Sequence, residues 1–81
     1  MNKKDLYEIL RKLSEGYIKN EVSGKIYAYT TESLIAVNLD LVPDLEDFAD
    51  FLAQYSPNQD LPELYNDKDL KKKIKIVFKL K

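Results

Sequence analysis

Lys25-Ile26-Tyr27-Ala28-Tyr29-Thr30-Thr31-Glu32-Ser33-Leu34-Ile35-Ala36-Val37 is the stretch on which the fold turns. It is rich in β-branched and aromatic residues, and its side chains alternate in character. A turn at Thr31-Glu32 sets Ala28 opposite Ile35 and Ile26 opposite Val37. Ile26, Ala28, Ile35, Val37 and Leu39 then share one face, and Tyr27, Tyr29, Leu34 and Ala36 share the other. A slip of one residue would mix the two sets, so the pattern fixes the register. Thr-Glu lacks the Gly or Asn that a two-residue hairpin turn favours, and a four-residue loop over Thr30–Ser33 keeps the same pairing. The stretch therefore predicts a hairpin with strands over 25–30 and 33–41.

Upstream, Leu6, Ile9, Leu10, Leu13 and Tyr17 recur at helical spacing and predict an amphipathic helix over Lys3–Lys19. Asn2 and Asp5 resemble a capping pair at its start, and Gly16 weakens its last turn. Glu8–Lys12 and Glu15–Lys19 stand at i,i+4 in the favourable order. Downstream, Val42-Pro43-Asp44 stops the second strand and opens a helix whose apolar stripe is Leu45, Phe48, Ala49, Leu52 and Tyr55. Ser56-Pro57-Asn58 ends that helix, Leu61–Tyr65 reads as a short helical turn, and Asn66-Asp67 reads as a break. Over 71–81, Ile74, Ile76, Phe78 and Leu80 alternate with Lys73, Lys75, Val77 and Lys79, which predicts a strand with one core face and one lysine face. The expected fold is a single α+β domain over 1–81. Its order is α-β-β-α-β, a small three-stranded, mainly antiparallel sheet with two helices on it.

The 81 residues are 44% hydrophobic and 33% charged, as in globular proteins, with no His, Cys or Trp. That composition removes Cys and His nucleophiles, His bases and nearly every zinc or haem site. Ser14, Ser23, Ser33 and Ser56 have no His to activate them. Ser23-Gly24-Lys25 matches only the tail of a P-loop, and Lys19 stands where the earlier glycine belongs. Asp44/Asp47 and Asp67/Asp69 lack EF-hand spacing. The expectation is a non-enzymatic chain with no cofactor and no bound metal. Its longest apolar-rich run, 34–43, is broken by Asn38 and Asp40, far short of the ~20 apolar residues of a membrane span. With no disulfide and no apolar leader at the start, cytoplasmic residence is expected.

A net charge of -1 conceals an asymmetry. Residues 1–37 carry +1, residues 38–69 carry -8 and residues 70–81 carry +6. The acids Asp44, Glu46, Asp47 and Asp50, with Asp60 and Glu63, form an acidic surface suited to a basic protein partner. First-turn acids also complement the helix dipole, which is the plainer reason for them. The lysines Lys71, Lys73, Lys75 and Lys79 can contact phosphates, or serve to guard the open edge of a sheet. Tyr27 and Tyr29, on one strand face, either pack under the first helix or present an interface. The leading expectation is a small interaction module, of the size class of phage or mobile-element inhibitors, that docks its acidic helix on a basic, nucleic-acid-binding partner. The alternatives are a nucleic-acid-binding regulator using the C-terminal lysines and a structural homodimer.

Overall fold

The computed structural model describes residues 2–55 and 66–80. The described residues form four α-helices: α1 Lys3–Ile18, α2 Gly24–Val37, α3 Glu46–Ala53 and α4 Asp67–Val77, with a 3-10 turn Pro43–Leu45 leading into α3. No β-strand occurs among the described residues, so the predicted α+β sheet is replaced by a helical fold.

α1 follows its apolar spacing. The Asn2 side chain accepts the Asp5 amide at 2.9 Å, and Leu6, Leu10, Ser14 and Tyr17 face inward. Ile9, at the margin of the stripe, stays 38% exposed. Of the charged side chains, Arg11 and Glu15 pair at 3.3 Å, in place of the predicted Glu8–Lys12 and Glu15–Lys19 pairs. The helix closes with Asn20 at φ 64° and the Glu21 amide reaching back to the Gly16 carbonyl at 2.8 Å. Asn tolerates this left-handed position, which leaves the last carbonyls satisfied.

α2 is the first correction. The segment predicted as a hairpin is one helix, capped by the Ser23 side chain on the Ile26 amide at 3.2 Å. Tyr27, Ala28, Thr31 and Ile35 are buried, at i, i+1, i+4 and i+8. Tyr27, Thr31 and Ile35 recur every four residues, a helical interval that the predicted turn at Thr31-Glu32 divides between two strands. Ile26, Tyr29 and Val37 sit on the outer side of α2 and imitate strand alternation there. Two things favour the helix: a serine cap at its start, and a Thr-Glu centre that is a poor hairpin turn but an ordinary helical pair. The helix penalty of its β-branched and aromatic residues is only a few tenths of a kcal/mol each, which core packing offsets. The far end of the predicted second strand is a turn, with the Leu41 and Val42 amides on the Asn38 carbonyl at 2.9 and 3.1 Å. The Asn38 side chain donates to the Leu34 carbonyl at 2.9 Å and so finishes α2.

The 3-10 turn and α3 follow the predicted stripe, burying Leu45, Phe48 and Leu52 and half-burying Ala49 and Tyr55, with α3 packed chiefly against α2. The predicted helix end at 56–58 and turn at 61–65 lie outside the described residues. α4 is the second correction, because the lysine strand is a helix. Asn66 and Asp69 form a reciprocal capping box, at 3.0 and 3.3 Å, where the sequence pattern reads as a break. Leu70, Ile74 and Phe78 are buried at i, i+4 and i+8, whereas Ile76 is 66% exposed. The stripe begins at Leu70, outside the alternating window, which explains the misreading. α4 closes as α1 does, with the Leu80 amide on the Lys75 carbonyl at 3.0 Å. Its left-handed residue is Lys79, at φ 56°. A residue with a long side chain costs about 1 kcal/mol more there than glycine does.

Candidate functional site

α4 runs back along α1. Lys71 lies over the Tyr17 ring at 5.5 Å, and further along Phe78 meets Tyr7 edge to face at 6.3 Å. Phe48 of α3 meets Phe78 from another side at 5.6 Å. This arrangement decides where the charged segments go. The outer face of α3 carries Glu46, Asp47 and Asp50, all exposed, because Phe48 and Leu52 hold the opposite side in the core. Lys68, Lys72, Lys75 and Lys79 are exposed along α4 and its final turn. Among the described residues, ion pairs join only Lys3 with Asp44 and Arg11 with Glu15. The acidic helix and the lysine helix are neighbours that do not neutralise each other.

The predicted acidic set is therefore only partly one surface. Asp44 is turned to internal work, accepting the Tyr7 hydroxyl and facing Lys3 Nζ at 3.5 Å. Those contacts, the tyrosine bond first, hold its carboxyl below the usual range, while burial and the same carboxylate push Tyr7 up to about 12. Asp60 and Glu63 lie outside the described residues. Of the predicted lysines, Lys71 is half-buried over Tyr17, Lys73 is half-buried with Nζ 5.7 Å from the Phe51 ring centre, and Lys75 and Lys79 are exposed. With a helix in place of an edge strand, guarding a sheet edge no longer explains them. Tyr29 is 75% exposed, but Tyr27 is fully buried and leaves the list of surface candidates. Its ring stacks on Tyr17, with centres 5.0 Å apart and planes 6° apart. Its hydroxyl lies 2.6 Å from Ser14 Oγ. Ser14 donates its own proton to the Leu10 carbonyl at 2.8 Å, so Tyr27 is the donor to Ser14.

Two features were not found from the sequence. The first joins three elements at one carboxylate. Tyr17 and Tyr55 both donate to Asp67 Oδ1, Tyr55 at 2.6 Å. Burial, then Asp67, raises both tyrosines, Tyr55 to about 12 and Tyr17 beyond the ordinary range. Gly24 lies against this cluster. A Cβ there would fall 2.7 Å from Asp67 Oδ1 and 2.8 Å from Tyr55 Cζ, and nearer still to the Tyr55 hydroxyl.

The second is a groove of about 630 Å3 between the N-terminal half of α1 and the end of α4. Tyr7, Val77 and Phe78 form its apolar floor, and Lys3, Lys4, Arg11 and Lys79 surround it with Glu8. The i, i+3, i+4, i+7 spacing of Lys4, Tyr7, Glu8 and Arg11 was visible in the sequence. Their opposing wall is hidden by the strand that the pattern over 71–81 predicts.

No family model, curated protein or solved structure matches the chain. Among the described residues, no helix is long and apolar enough to cross a membrane, and no group of three or more acidic residues is arranged to hold a metal ion.

Proposed function

We propose that the chain is a small non-catalytic interaction module that docks the outer face of α3 on a basic surface of a cytoplasmic protein partner. The observation that carries this reading is the lack of internal neutralisation. Glu46, Asp47 and Asp50 project from a helix anchored by Phe48 and Leu52, and no lysine of neighbouring α4 pairs with them among the described residues. A rigid helix with aligned carboxylates presents a field that speeds encounter with a cationic surface and discriminates against acidic ones. The lack of any His or Cys supports binding over catalysis. An inhibitor of a nucleic-acid-binding protein, of the size class found in phage and mobile elements, is the form of module this surface fits best. Carboxylates on such a helix can occupy the positions of phosphates.

The test is capture of a basic protein from an extract of the source cell by the wild-type chain and by Glu46→Lys/Asp47→Lys. Asp44 is left intact because it holds Tyr7 and Lys3. Wild-type capture that weakens with salt and is lost in the variant, at unchanged helical circular dichroism, supports the reading. Equal capture by both chains overturns it.

One observation favours a second reading. As a helix, α4 aligns Lys68, Lys72 and Lys75 on one exposed side, with Lys79 beyond them. That row suits a phosphate backbone better than alternation on a strand would. Lys72→Gln/Lys75→Gln should then flatten the salt dependence of DNA or RNA binding, and no shift of either nucleic acid at low salt ends this reading.

A further inference from the structure

The groove between α1 and the end of α4 differs in kind from both charged helices, because its floor is apolar. Tyr7, Val77 and Phe78 offer rings and a branched side chain, and among the described residues four cations stand around them against the one carboxylate of Glu8. Lys3 and Arg11 already have acidic neighbours in Asp44 and Glu15. Lys4 and Lys79 have no ion pair among the described residues, so two positive charges at this groove are uncommitted.

A second, independent observation concerns the backbone that carries one of those charges. α1 and α4 end with the same closure, an amide reaching back to the carbonyl five residues earlier across a left-handed residue. α1 uses Asn20 for that residue, a type suited to the conformation, whereas α4 uses Lys79. Glycine would close α4 with less strain. Strained backbone positions of this kind cluster at binding sites and ligand clamps. Here the strained residue places a cation at the mouth of the groove.

We propose that this groove binds an acidic peptide segment, seating one large apolar side chain on Tyr7, Val77 and Phe78 while flanking carboxylates meet Lys4 and Lys79. The volume of about 630 Å3 exceeds what a simple anion fills and accommodates a side chain with adjoining backbone. A nucleic acid is the poorer fit, since Glu8 interrupts the cationic rim and the Tyr7 hydroxyl on the floor is already given to Asp44. An anionic lipid surface is also disfavoured, because Glu8 stands among the cations and would face like-charged headgroups.

The probe is a fluorescein-labelled nonapeptide of Glu and Ser with a central Leu, titrated into the full chain by anisotropy. Control peptides replace the central Leu with Ala, or each Glu with Lys. The Leu peptide should bind, and either replacement should weaken it by about tenfold or more, the effect of losing a seated anchor or complementary charge. The decisive variant is Lys79→Gly. It relieves the left-handed strain, so the fold should be at least as resistant to urea as wild type, yet peptide affinity should fall by about tenfold. Lys4→Gln should add to that loss, and peptide-induced amide shifts in NMR spectra should centre on Tyr7, Val77 and Phe78. Undiminished affinity in the Lys79→Gly/Lys4→Gln chain overturns the proposal. So does indifference to the central Leu, or tighter binding of an oligonucleotide or of vesicles of phosphatidylserine. Glu46→Lys/Asp47→Lys should leave this binding intact, which separates the groove from the acidic face of α3.

Discussion

α1 carries a tyrosine near each end, and both give their hydroxyl to an aspartate far away in sequence. Tyr7 donates to Asp44 within the 3-10 turn, and Tyr17 donates to Asp67 at the first position of α4. The chemistry is the same, but the surroundings are not. Asp44 is exposed and shares its charge with Lys3. Asp67 is half-buried, receives a second hydroxyl from Tyr55, and lies against the backbone of Gly24, where α2 begins. One end of α1 is thus held by a bond that water can replace. The other is held by a cluster in which α1, α2, the end of α3 and α4 meet. The difference teaches that the contribution of a tyrosine–carboxylate bond depends on what else is lost with it.

The sharpest way to break the contrast is Gly24→Ala. The added methyl group meets a rigid ring and a bonded carboxylate, and overpacking of this kind should cost about 2–3 kcal/mol in urea unfolding. Removing the shared acceptor with Asp67→Ala should cost about 2 kcal/mol, because two hydroxyls lose their partner together. A double-mutant cycle with Tyr17→Phe should show strong coupling, and simple additivity would dissolve the cluster as a unit.

Alkaline titration separates the two ends next. Tyr7, Tyr27 and Tyr55 are raised to about 12 and Tyr17 higher still. The folded chain therefore holds protons that the unfolded chain releases near pH ~10. Stability should be fully present below that pH and fall as pH rises towards 12, and Tyr17→Phe should flatten the fall more than Tyr7→Phe. The smallest effect belongs to the exposed end. Tyr7→Phe should cost less than about 1 kcal/mol at neutral pH. Asp44 is lowered, so its contribution is present above the usual carboxylate range and disappears as pH falls through its own value. Tyr7→Phe should reduce that acid-side loss.

Half of the helices were legible from spacing. In α1 and α3 the outer faces are charged, so Leu6, Leu10, Phe48 and Leu52 stand out at helical intervals. In α2 the outer face carries Ile26, Tyr29 and Val37, and the helical signal is diluted into apparent alternation. In α4 the row Ile74, Ile76, Phe78 and Leu80 imitates a strand, while the Asn66–Asp69 capping box that announces a helix overlaps the Asn66-Asp67 pair that reads as a break. The exposed carboxylates of α3 could be placed because their helix was read correctly. The role of Asp44 could not, since its partner Tyr7 lies 37 residues away. The groove and the Asp67 cluster depend on the course of α4 along α1, which no local pattern encodes.

The tyrosine–aspartate bonds also make the chain its own optical reporter. With no Trp, its near-ultraviolet emission comes from tyrosine. Tyr7, Tyr17 and Tyr55 donate to carboxylates, an arrangement that quenches the excited phenol, and Tyr27 is stacked on Tyr17. Tyr29 stands exposed in solvent. Among the described tyrosines, only Tyr29 should then emit freely in the folded chain, and tyrosine emission should rise as urea releases the phenols to water.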